Sequence, residues 1–339
     1  MTDKTTVSLK NYHTFHLDVS ADSIIQINSV DELKSYFKNK KEERKWIVLG
    51  GGSNVVFRNH FDGDVLVMKS AGIEILQDSI SNKLLRVNAG TIWHEFVSYC
   101  VENNLGGVEN LALIPGTVGA SPIQNIGAYG VEVKDVIMQV NALNLIDLTE
   151  VCYSNSECKF DYRDSIFKNE LKNRVLITSV DFNLTKKEFY KINLSYKPVS
   201  EYLSKSLVEE PEIKDVFNAV ISIRSSKLPN PDEVGNSGSF LKNPIISKSQ
   251  FEDLINSYPE IPHFNLSNSE IKIPAGWLIE KAGWKGYRKN DVGVYPKQAL
   301  VLVNYGNANP NEVLTLVNEI KESVNQLFSI QLQIEVNII

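Results

Sequence analysis

A chain of 339 residues, 42% hydrophobic and 22% charged, is long enough for two or three folded domains with sizeable cores. Its formal net charge of -6 argues against a nucleic-acid partner, which selects a basic face, while leaving room for a local basic cleft that holds an anion. Three cysteines, Cys100, Cys152 and Cys158, make a poor disulfide framework and fit a reducing compartment; the spacing of Cys152 and Cys158 matches no zinc pattern, so no metal is expected. The segment MTDKTTVSLKNYHTFHLDV has no signal-peptide core, and no run reaches the ~18 apolar residues of a membrane span. The expectation is a cytoplasmic protein that engages neither membrane nor nucleic acid.

Taken in chain order, Ser29-Val30-Asp31-Glu32 spells a capping box, and Val30, Leu33 and Phe37 follow at helical spacing. Trp46-Ile47-Val48-Leu49 reads as a strand that runs into three glycines. Residues 64–68 and 84–88 read as further strands. From Thr91 onward, Trp93, Phe96, Val97, Cys100 and Val101 form the buried stripe of a helix, which Gly106-Gly107 should stop. A long middle region alternates glycine loops with strand-like runs, residues 176–182 among them. Lys227-Leu228-Pro229-Asn230-Pro231 then breaks secondary structure and marks an expected domain boundary. Asn309 followed by Pro310 predicts a capped helix that buries Val313, Leu316, Val317, Ile320, Val324 and Leu327. Residues 330–338 alternate strictly, with Leu332, Ile334, Val336 and Ile338 on one face of a predicted strand and Gln331, Gln333, Glu335 and Asn337 on the other. The overall class is α+β.

Two glycine loops carry the first chemical signal. One is Gly50-Gly51-Gly52-Ser53-Asn54, directly after a strand; the other is Pro115-Gly116-Thr117-Val118-Gly119-Ala120-Ser121, continued by Gln124-Asn125-Ile126-Gly127-Ala128-Tyr129-Gly130. Glycine lets backbone N–H groups approach an anion with no Cβ in the way, and successive N–H groups in such turns form anion-binding concavities. Neither loop is a P-loop, since no Gly-Lys-Ser/Thr follows. Val55 stands where a dinucleotide fingerprint needs its third glycine, which argues against a Rossmann site. On chemistry alone each loop reads as a plain turn or as a phosphate cradle.

These loops resemble the two FAD-diphosphate loops of the UDP-N-acetylenolpyruvoylglucosamine reductase family. Tyr162-Arg163-Asp164-Ser165, Gly238-Ser239-Phe240-Leu241-Lys242-Asn243-Pro244 and Glu335 continue the match in the expected order, from around Thr14 to the C-terminus. The resemblance implies a noncovalent FAD in an FAD-binding fold of the vanillyl-alcohol-oxidase (PCMH) type. That fold would have two subdomains, residues 1–70 with 333–339 and residues 71–226, beside a separate α+β substrate-binding domain at 227–332. It implies contacts to FAD from Gly50, Gly51, Gly52, Ser53, Asn54, Pro115, Gly116, Thr117, Val118, Gly119, Ser121, Gly127 and Tyr129. Ala275-Gly276-Trp277-Leu278-Ile279 and the Tyr196 region look like the longer subtype, in which a loop carries a tyrosine over the substrate.

The implied reaction uses NADPH and UDP-N-acetylglucosamine enolpyruvate in one shared site. Hydride passes from NADPH through FAD to C3 of the enolpyruvyl group, and negative charge builds on C2 and the adjacent carboxylate. The resemblance gives that charge to Arg163, whose guanidinium can pair a carboxylate in two places; the residue pattern alone reads rather as a surface arginine paired to Asp161 or Asp164. Ser239 becomes the proton donor to C2, with Ser237 a neighbouring competitor in a polar turn. Glu335 would hydrogen-bond the intermediate or orient Ser239; the alternative is a solvent-facing carboxylate on an edge strand. Lys227, Asn243 and Gln298, and after them Arg224, would hold the substrate diphosphate or the nicotinamide nucleotide, Tyr196 would close over the bound ligand, and Phe264 stands where a tyrosine contacting that diphosphate is expected. Two other readings share these loops: a flavin oxidase or dehydrogenase acting on another substrate, and a flavin- or nucleotide-binding module without catalysis. A monomer is expected.

Overall fold

The computed structural model describes residues 6–339; the first five residues of the charged N-terminal segment lie outside the described residues. The chain divides into two compact units, one made of Ile24–Gly51 and Gly63–Ser226, the other of the residues up to Ser23, Gly52–Asp62 and Lys227–Ile339.

In the first of these, helix α1 (Val30–Asn39) starts where Ser29 accepts the Glu32 N–H on its side chain, and Leu33 is fully buried. The Glu32 carboxylate reaches one residue beyond a regular capping box, accepting the Asn28 N–H at 2.7 Å. The helix covers a small sheet in which Trp46–Leu49 runs parallel to Phe61–Met68, registered Trp46 to Asp64 and Leu49 to Val67. Ile27, Leu33, Leu66, Met68, Ala89 and Leu143 share one core there. The larger sheet is antiparallel, with Glu150–Ser154, Ile137–Asn144, Val175–Lys186, Asn82–Asn88 and Ile73–Asp78 side by side.

Helix α2 (Trp93–Glu102) buries all five residues of its predicted stripe against that sheet. Trp93 and Phe96 lie 6.1 and 4.6 Å from the Phe182 ring, and the Trp93 indole donates to the Leu111 carbonyl. Its end differs from expectation. Asn103 caps it and Asn104 takes the left-handed conformation (φ 55°), so the chain has already turned before Gly106 enters a short strand, Leu105–Gly106. Two helices lie in the region read as strands and loops. They are α3 (Lys197–Lys205), burying Val199 and Leu203, and α4 (Ile213–Lys227), burying Ile213, Val216, Ala219, Val220 and Ile223.

In the second unit, Gly235–Ser239, Val301–Asn304, Val292–Val294 and Arg288–Lys289 form an antiparallel sheet. A smaller sheet orders Ile245–Ser247, Glu270–Lys272 and Phe264–Asn265. Helices α5 (Lys248–Ser257), α6 (Ala275–Lys281) and α7 (Pro310–Phe328) complete it. The α7 start is a full capping box between Asn309 and Glu312. One predicted core residue is misplaced: Leu327 is 49% exposed, and Phe328 turns inward onto Tyr258 and Trp277 instead.

The expected strand over 330–338 is also corrected. Burial alternates, with Leu332 and Val336 inside and Gln331, Gln333 and Asn337 outside, but Ile334 is only half-buried. Ladder pairing is confined to one bridge, Leu241 to Ile334, and to Asn337–Ile338, which lies parallel to Val55–Val56. Between these points Glu335 is tied by its N–H to the Phe240 carbonyl and Val336 lies in a bend, so no continuous strand forms.

Candidate active site

The two glycine loops meet within one unit. A Cβ on Gly50 would stand 2.3 Å from the Thr117 hydroxyl oxygen, and one on Gly51 would stand 2.9 Å from the Gly116 Cα. At Gly51 backbone lies directly on backbone, which only glycine permits, while at Gly50 the Thr117 side chain fills the space. The second loop is held from behind: Gly116 accepts from the Trp93 N–H, Val118 donates to Thr91, and Gly119 donates to Ala89. Val118 and Ser121 are buried, and the Ser121 hydroxyl is spent on the Val118 carbonyl at 2.8 Å, so these two residues offer main chain rather than side chain. In the other unit, Gly52 takes a left-handed φ of 61°, and a Cβ there would lie 2.1 Å from the Tyr12 carbonyl and 2.6 Å from the His13 Cα. Ser53 and Asn54 follow it half-buried, and the Asn54 carbonyl accepts from both the backbone and side chain of Asn337. The first loop thus ends tied to the C-terminal segment.

Arg163 sits in the same unit as the second loop. Asp161 and Asp164 bond each other's backbone across a tight turn with Arg163 at φ 54°, and the guanidinium donates to the Gly127 carbonyl at 2.8 Å and the Asn125 carbonyl at 3.4 Å. Asn125 is buried, and its amide donates to the Glu132 carboxylate and the Asp161 carbonyl, tying the arginine's turn to the glycine loop. Beyond Gly127, Tyr129 has its ring edge-on to Tyr196 at 5.1 Å and pairs its hydroxyl with Arg224. Burial raises the Tyr129 pKa, which the Arg224 charge opposes. Burial likewise lowers that of Arg224, offset by Tyr129, and the Arg224 Nε is buried without a partner among the described residues. A buried guanidinium facing a phenol and no carboxylate is poised for an anion. Lys227 lies exposed on the final turn of the same helix, α4.

In the other unit, a bulge decides between two serines. The pairing of Gly235–Ser239 with Val301–Asn304 shifts register between Asn236 and Ser239, with Gly238 at φ 68°. In a regular strand Ser237 and Ser239 would face the same way; the bulge breaks the alternation. Ser237 turns inward, buried, with its hydroxyl on the Val55 carbonyl at 3.1 Å, whereas Ser239 is exposed. The next residues pair with the C-terminal segment: Glu335 N–H donates to Phe240 and Lys242 N–H to Gln333, both at 2.9 Å. Ser239 and Glu335 therefore belong to adjoining stretches of chain. Asn243 accepts the Ala275 N–H at 2.9 Å, and a Cβ on Gly276 would lie 3.1 Å from Gln298, so Asn243 and Gln298 flank the first turn of α6. Phe264 is 52% exposed, with the Lys272 ammonium 5.6 Å from its ring centre.

Within their units, then, Arg163 is held on Gly127, Tyr129 two residues on meets Tyr196 and Arg224, and Ser239 lies one residue from the Phe240 carbonyl that Glu335 N–H bonds. Sequence reasoning missed Asn110, which is fully buried and bonds the Tyr129 and Asn193 carbonyls. A single asparagine in a one-turn helix carries no pattern to flag it. Among the described residues no cluster of His, Cys, Asp and Glu has the makings of a metal site.

Residues 230–339 match the family model described as UDP-N-acetylenolpyruvoylglucosamine reductase, C-terminal domain, and residues 21–148 match that of an FAD binding domain. The chain is 48% identical over 332 residues to the UDP-N-acetylenolpyruvoylglucosamine reductase of Flavobacterium johnsoniae, covering 98% of each. It is 42% identical to that of Bacteroides fragilis, again over 98% of each. Among solved structures, the UDP-N-acetylenolpyruvylglucosamine reductase of Thermus caldophilus aligns with a TM-score of 0.66 at 24% identity over 98% of both chains. p-Cresol methylhydroxylase aligns with a TM-score of 0.50 at 12% identity, covering 97% of this chain and 84% of that one. At such identities these likenesses speak of fold. It is α+β, with an FAD-binding domain of the PCMH type and a distinct C-terminal domain.

Proposed function

The chain belongs to the UDP-N-acetylenolpyruvoylglucosamine reductase family, and from that footing we propose that NADPH and the enolpyruvyl sugar nucleotide use one shared site in turn, served by Arg163, Ser239 and Glu335. The protein is an FAD-containing oxidoreductase that reduces UDP-N-acetylglucosamine enolpyruvate to UDP-N-acetylmuramate for peptidoglycan synthesis. FAD, when bound, takes hydride from the nicotinamide and supplies it to C3 of the enolpyruvyl group. The glycine contacts support its diphosphate lying on Gly50, Gly51 and Gly52 and on Pro115, Gly116, Thr117, Val118 and Gly119. Ser53, Asn54, Ser121, Gly127 and Tyr129 complete that cradle in this reading.

Arg163, steadied on the Gly127 carbonyl, binds the substrate carboxylate and offsets the charge that grows there as C3 gains hydride. Ser239, turned outward by the bulge, gives C2 its proton. Glu335 orients that hydroxyl or hydrogen-bonds the developing acid. Arg224, Lys227, Asn243 and Gln298 hold the diphosphate of the sugar nucleotide or of NADPH, and Tyr196 closes over the ligand. Phe264 offers ring surface where a hydroxyl would otherwise reach the diphosphate. We assign residues 1–70 with 333–339 and residues 71–226 to the flavin and residues 227–332 to the substrate. The enzyme acts in this reading as a cytoplasmic monomer. Among the described residues no helix is long and apolar enough to cross a membrane.

The observation that carries this reading is the pairing of the Phe240–Lys242 stretch with residues 333–335, which sets the exposed serine beside the glutamate. Its test is anaerobic and in two steps. NADPH should bleach the yellow protein in wild type, Ser239→Ala and Glu335→Gln alike, and the enolpyruvyl sugar nucleotide should restore colour only in wild type. Recolouring at wild-type rate in both variants would remove these residues from the reaction, whereas a wild-type protein that bleaches and does not recolour would favour a flavin enzyme acting on another substrate.

A further inference from the structure

One fully buried side chain links the segment that carries Tyr129 to the loop that carries Tyr196. Asn110 lies in the middle of a short helical turn, Glu109–Leu111, and is 0% exposed. Its Nδ2 donates to the Tyr129 carbonyl at 3.0 Å and to the Asn193 carbonyl at 3.2 Å. The orientation of the amide is dictated by these partners, since a flip would set oxygen against two carbonyl oxygens. The price is its Oδ1, buried with no partner among the described residues. A residue kept at that cost is kept for its two N–H groups.

Asn193 completes the connection from the other side. Its Nδ2 returns to the Gly130 carbonyl at 3.2 Å, while its Oδ1 accepts the Ser195 N–H at 3.0 Å and the Ser195 hydroxyl at 2.7 Å. A Cβ on Gly130 would lie 2.4 Å from that same hydroxyl oxygen, so the two segments touch without a gap. Tyr196 follows at once, edge-on to Tyr129 and 36% exposed at the head of α3. Three hydrogen bonds from two asparagines thus set where the second tyrosine stands relative to the first.

We infer that Asn110 and Asn193 are positioning residues, a two-point staple that holds the Tyr196 loop at the height from which it closes on the substrate. The inference rests on the proposed role of Tyr196. The staple acts before ligand arrives. With the loop already placed, closure spends binding free energy on substrate contacts and not on ordering the chain. Its loss therefore weakens substrate binding while the chemistry at Arg163, Ser239 and Glu335 continues once substrate is held.

The test uses FAD-loaded enzyme and UDP-N-acetylglucosamine enolpyruvate. Asn110→Asp keeps the size of the side chain and removes both donors. It should raise KM for the sugar nucleotide about tenfold with kcat changed less than about threefold. In a Tyr196→Ala background the same substitution should leave KM unmoved, because the residue it positions is gone. Asn193→Asp, at a half-buried site where folding is not at risk, removes only the bond to Gly130 and should raise KM about threefold, again only when Tyr196 is present. A wild-type KM in Tyr196→Ala alone would overturn the role given to Tyr196. A raised KM in Tyr196→Ala together with wild-type KM in both asparagine variants, or with effects that add fully to it, would overturn the staple while leaving Tyr196 in place.

Discussion

Gly50→Ala offers a direct test of the stacked loops, because the structure names the atom it would strike. The new Cβ would lie 2.3 Å from the Thr117 hydroxyl oxygen, with the Thr117 Cβ at 3.4 Å and its methyl at 3.5 Å. Only the hydroxyl is in the way. Thr117 is buried, so it has little room to rotate, and the loops must part by several tenths of an ångström. Overpacking of this kind costs about 2 kcal/mol, and if the cost falls on the flavin-bound form it weakens FAD binding roughly thirtyfold. Thr117→Ala removes the hydroxyl and leaves the next atom at ordinary contact distance. In a double-mutant cycle Gly50→Ala should then cost less than about 0.5 kcal/mol in a Thr117→Ala background, a coupling of about 1.5 kcal/mol. FAD dissociation constants from flavin fluorescence, with thermal midpoints of the apoprotein as control, give all four corners. Gly51→Ala is the contrast: its Cβ meets the Gly116 Cα at 2.9 Å, and no side-chain deletion can relieve a clash with backbone. Wild-type FAD affinity in Gly50→Ala, or simple additivity with Thr117→Ala, would refute the contact as the reason for glycine there.

Gly238→Ala meets no atom within 4 Å, so its cost is the left-handed backbone alone, about 1 kcal/mol. It should lower kcat by re-aiming Ser239 while moving the thermal midpoint by only a few degrees, and an unchanged kcat would separate the bulge from catalysis. His13 is buried with its pKa pulled down to about 4 from 6.5, chiefly by burial. The unfolded chain therefore takes the proton first. No penalty exists above pH 6.5, and stability is lost as pH falls from there toward 4, on the order of 3 kcal/mol in all. Denaturant midpoints at pH 7 and 4.5 should diverge less in His13→Leu than in wild type, and equal pH slopes would count against this account. Asp181, 1% exposed, accepts two bonds from Arg86 and one each from Gln139 and Asn141. Asp181→Ala leaves Arg86 without its carboxylate, while Gln139 and Asn141 keep their bonds to Asn141 and Ser179, and should cost about 3 kcal/mol, the partial exposure of Arg86 holding it at the low end. A thermal midpoint within a degree of wild type would show the network to be dispensable.

The elements that could be read from sequence were those whose periodicity and caps agreed. Helices α1 and α7 carry both an apolar stripe and a capping residue, whereas α2 carries the stripe alone and ends before the glycines expected to stop it. Helix α4 was legible and went unread, since Ile213, Val216, Val220 and Ile223 recur at helical spacing with no capping motif to announce them. Leu327 and Phe328 show the limit of spacing. Either could continue the α7 stripe, and the presence of Tyr258 and Trp277, decided by tertiary structure, selects the phenylalanine. The alternation at 330–338 was real as burial and misleading as pairing, because periodicity reports which side is apolar and says nothing about whether a neighbouring strand exists. The glycine loops were visible as glycines. That Gly51 lies on Gly116 was not, because contact between segments 65 residues apart leaves no local mark.

A different kind of signal lies in the residues that defy their turns. Asn125, Tyr129 and Arg163 all take left-handed φ, between 42° and 54°, a region that asparagine visits readily and tyrosine and arginine seldom do. A turn built only for stability would place glycine at residue 163, where Asp161 and Asp164 already close the backbone. Arginine there forgoes that ease, about 1 kcal/mol, and gains a guanidinium directed onto the Gly127 carbonyl in the continuation of the second glycine loop. Tyr129 makes the same exchange and gains a ring against Tyr196 and a hydroxyl on the buried Arg224. Left-handed φ is not peculiar to this site, since nine other described non-glycine residues share it, Leu113, Leu148 and Leu207 among them. What distinguishes Tyr129 and Arg163 is where the conformation sends the side chain, onto Tyr196 and Arg224 in one case and onto the Gly127 carbonyl in the other. In both cases the backbone cost is offset by a specific partner that a glycine could not supply.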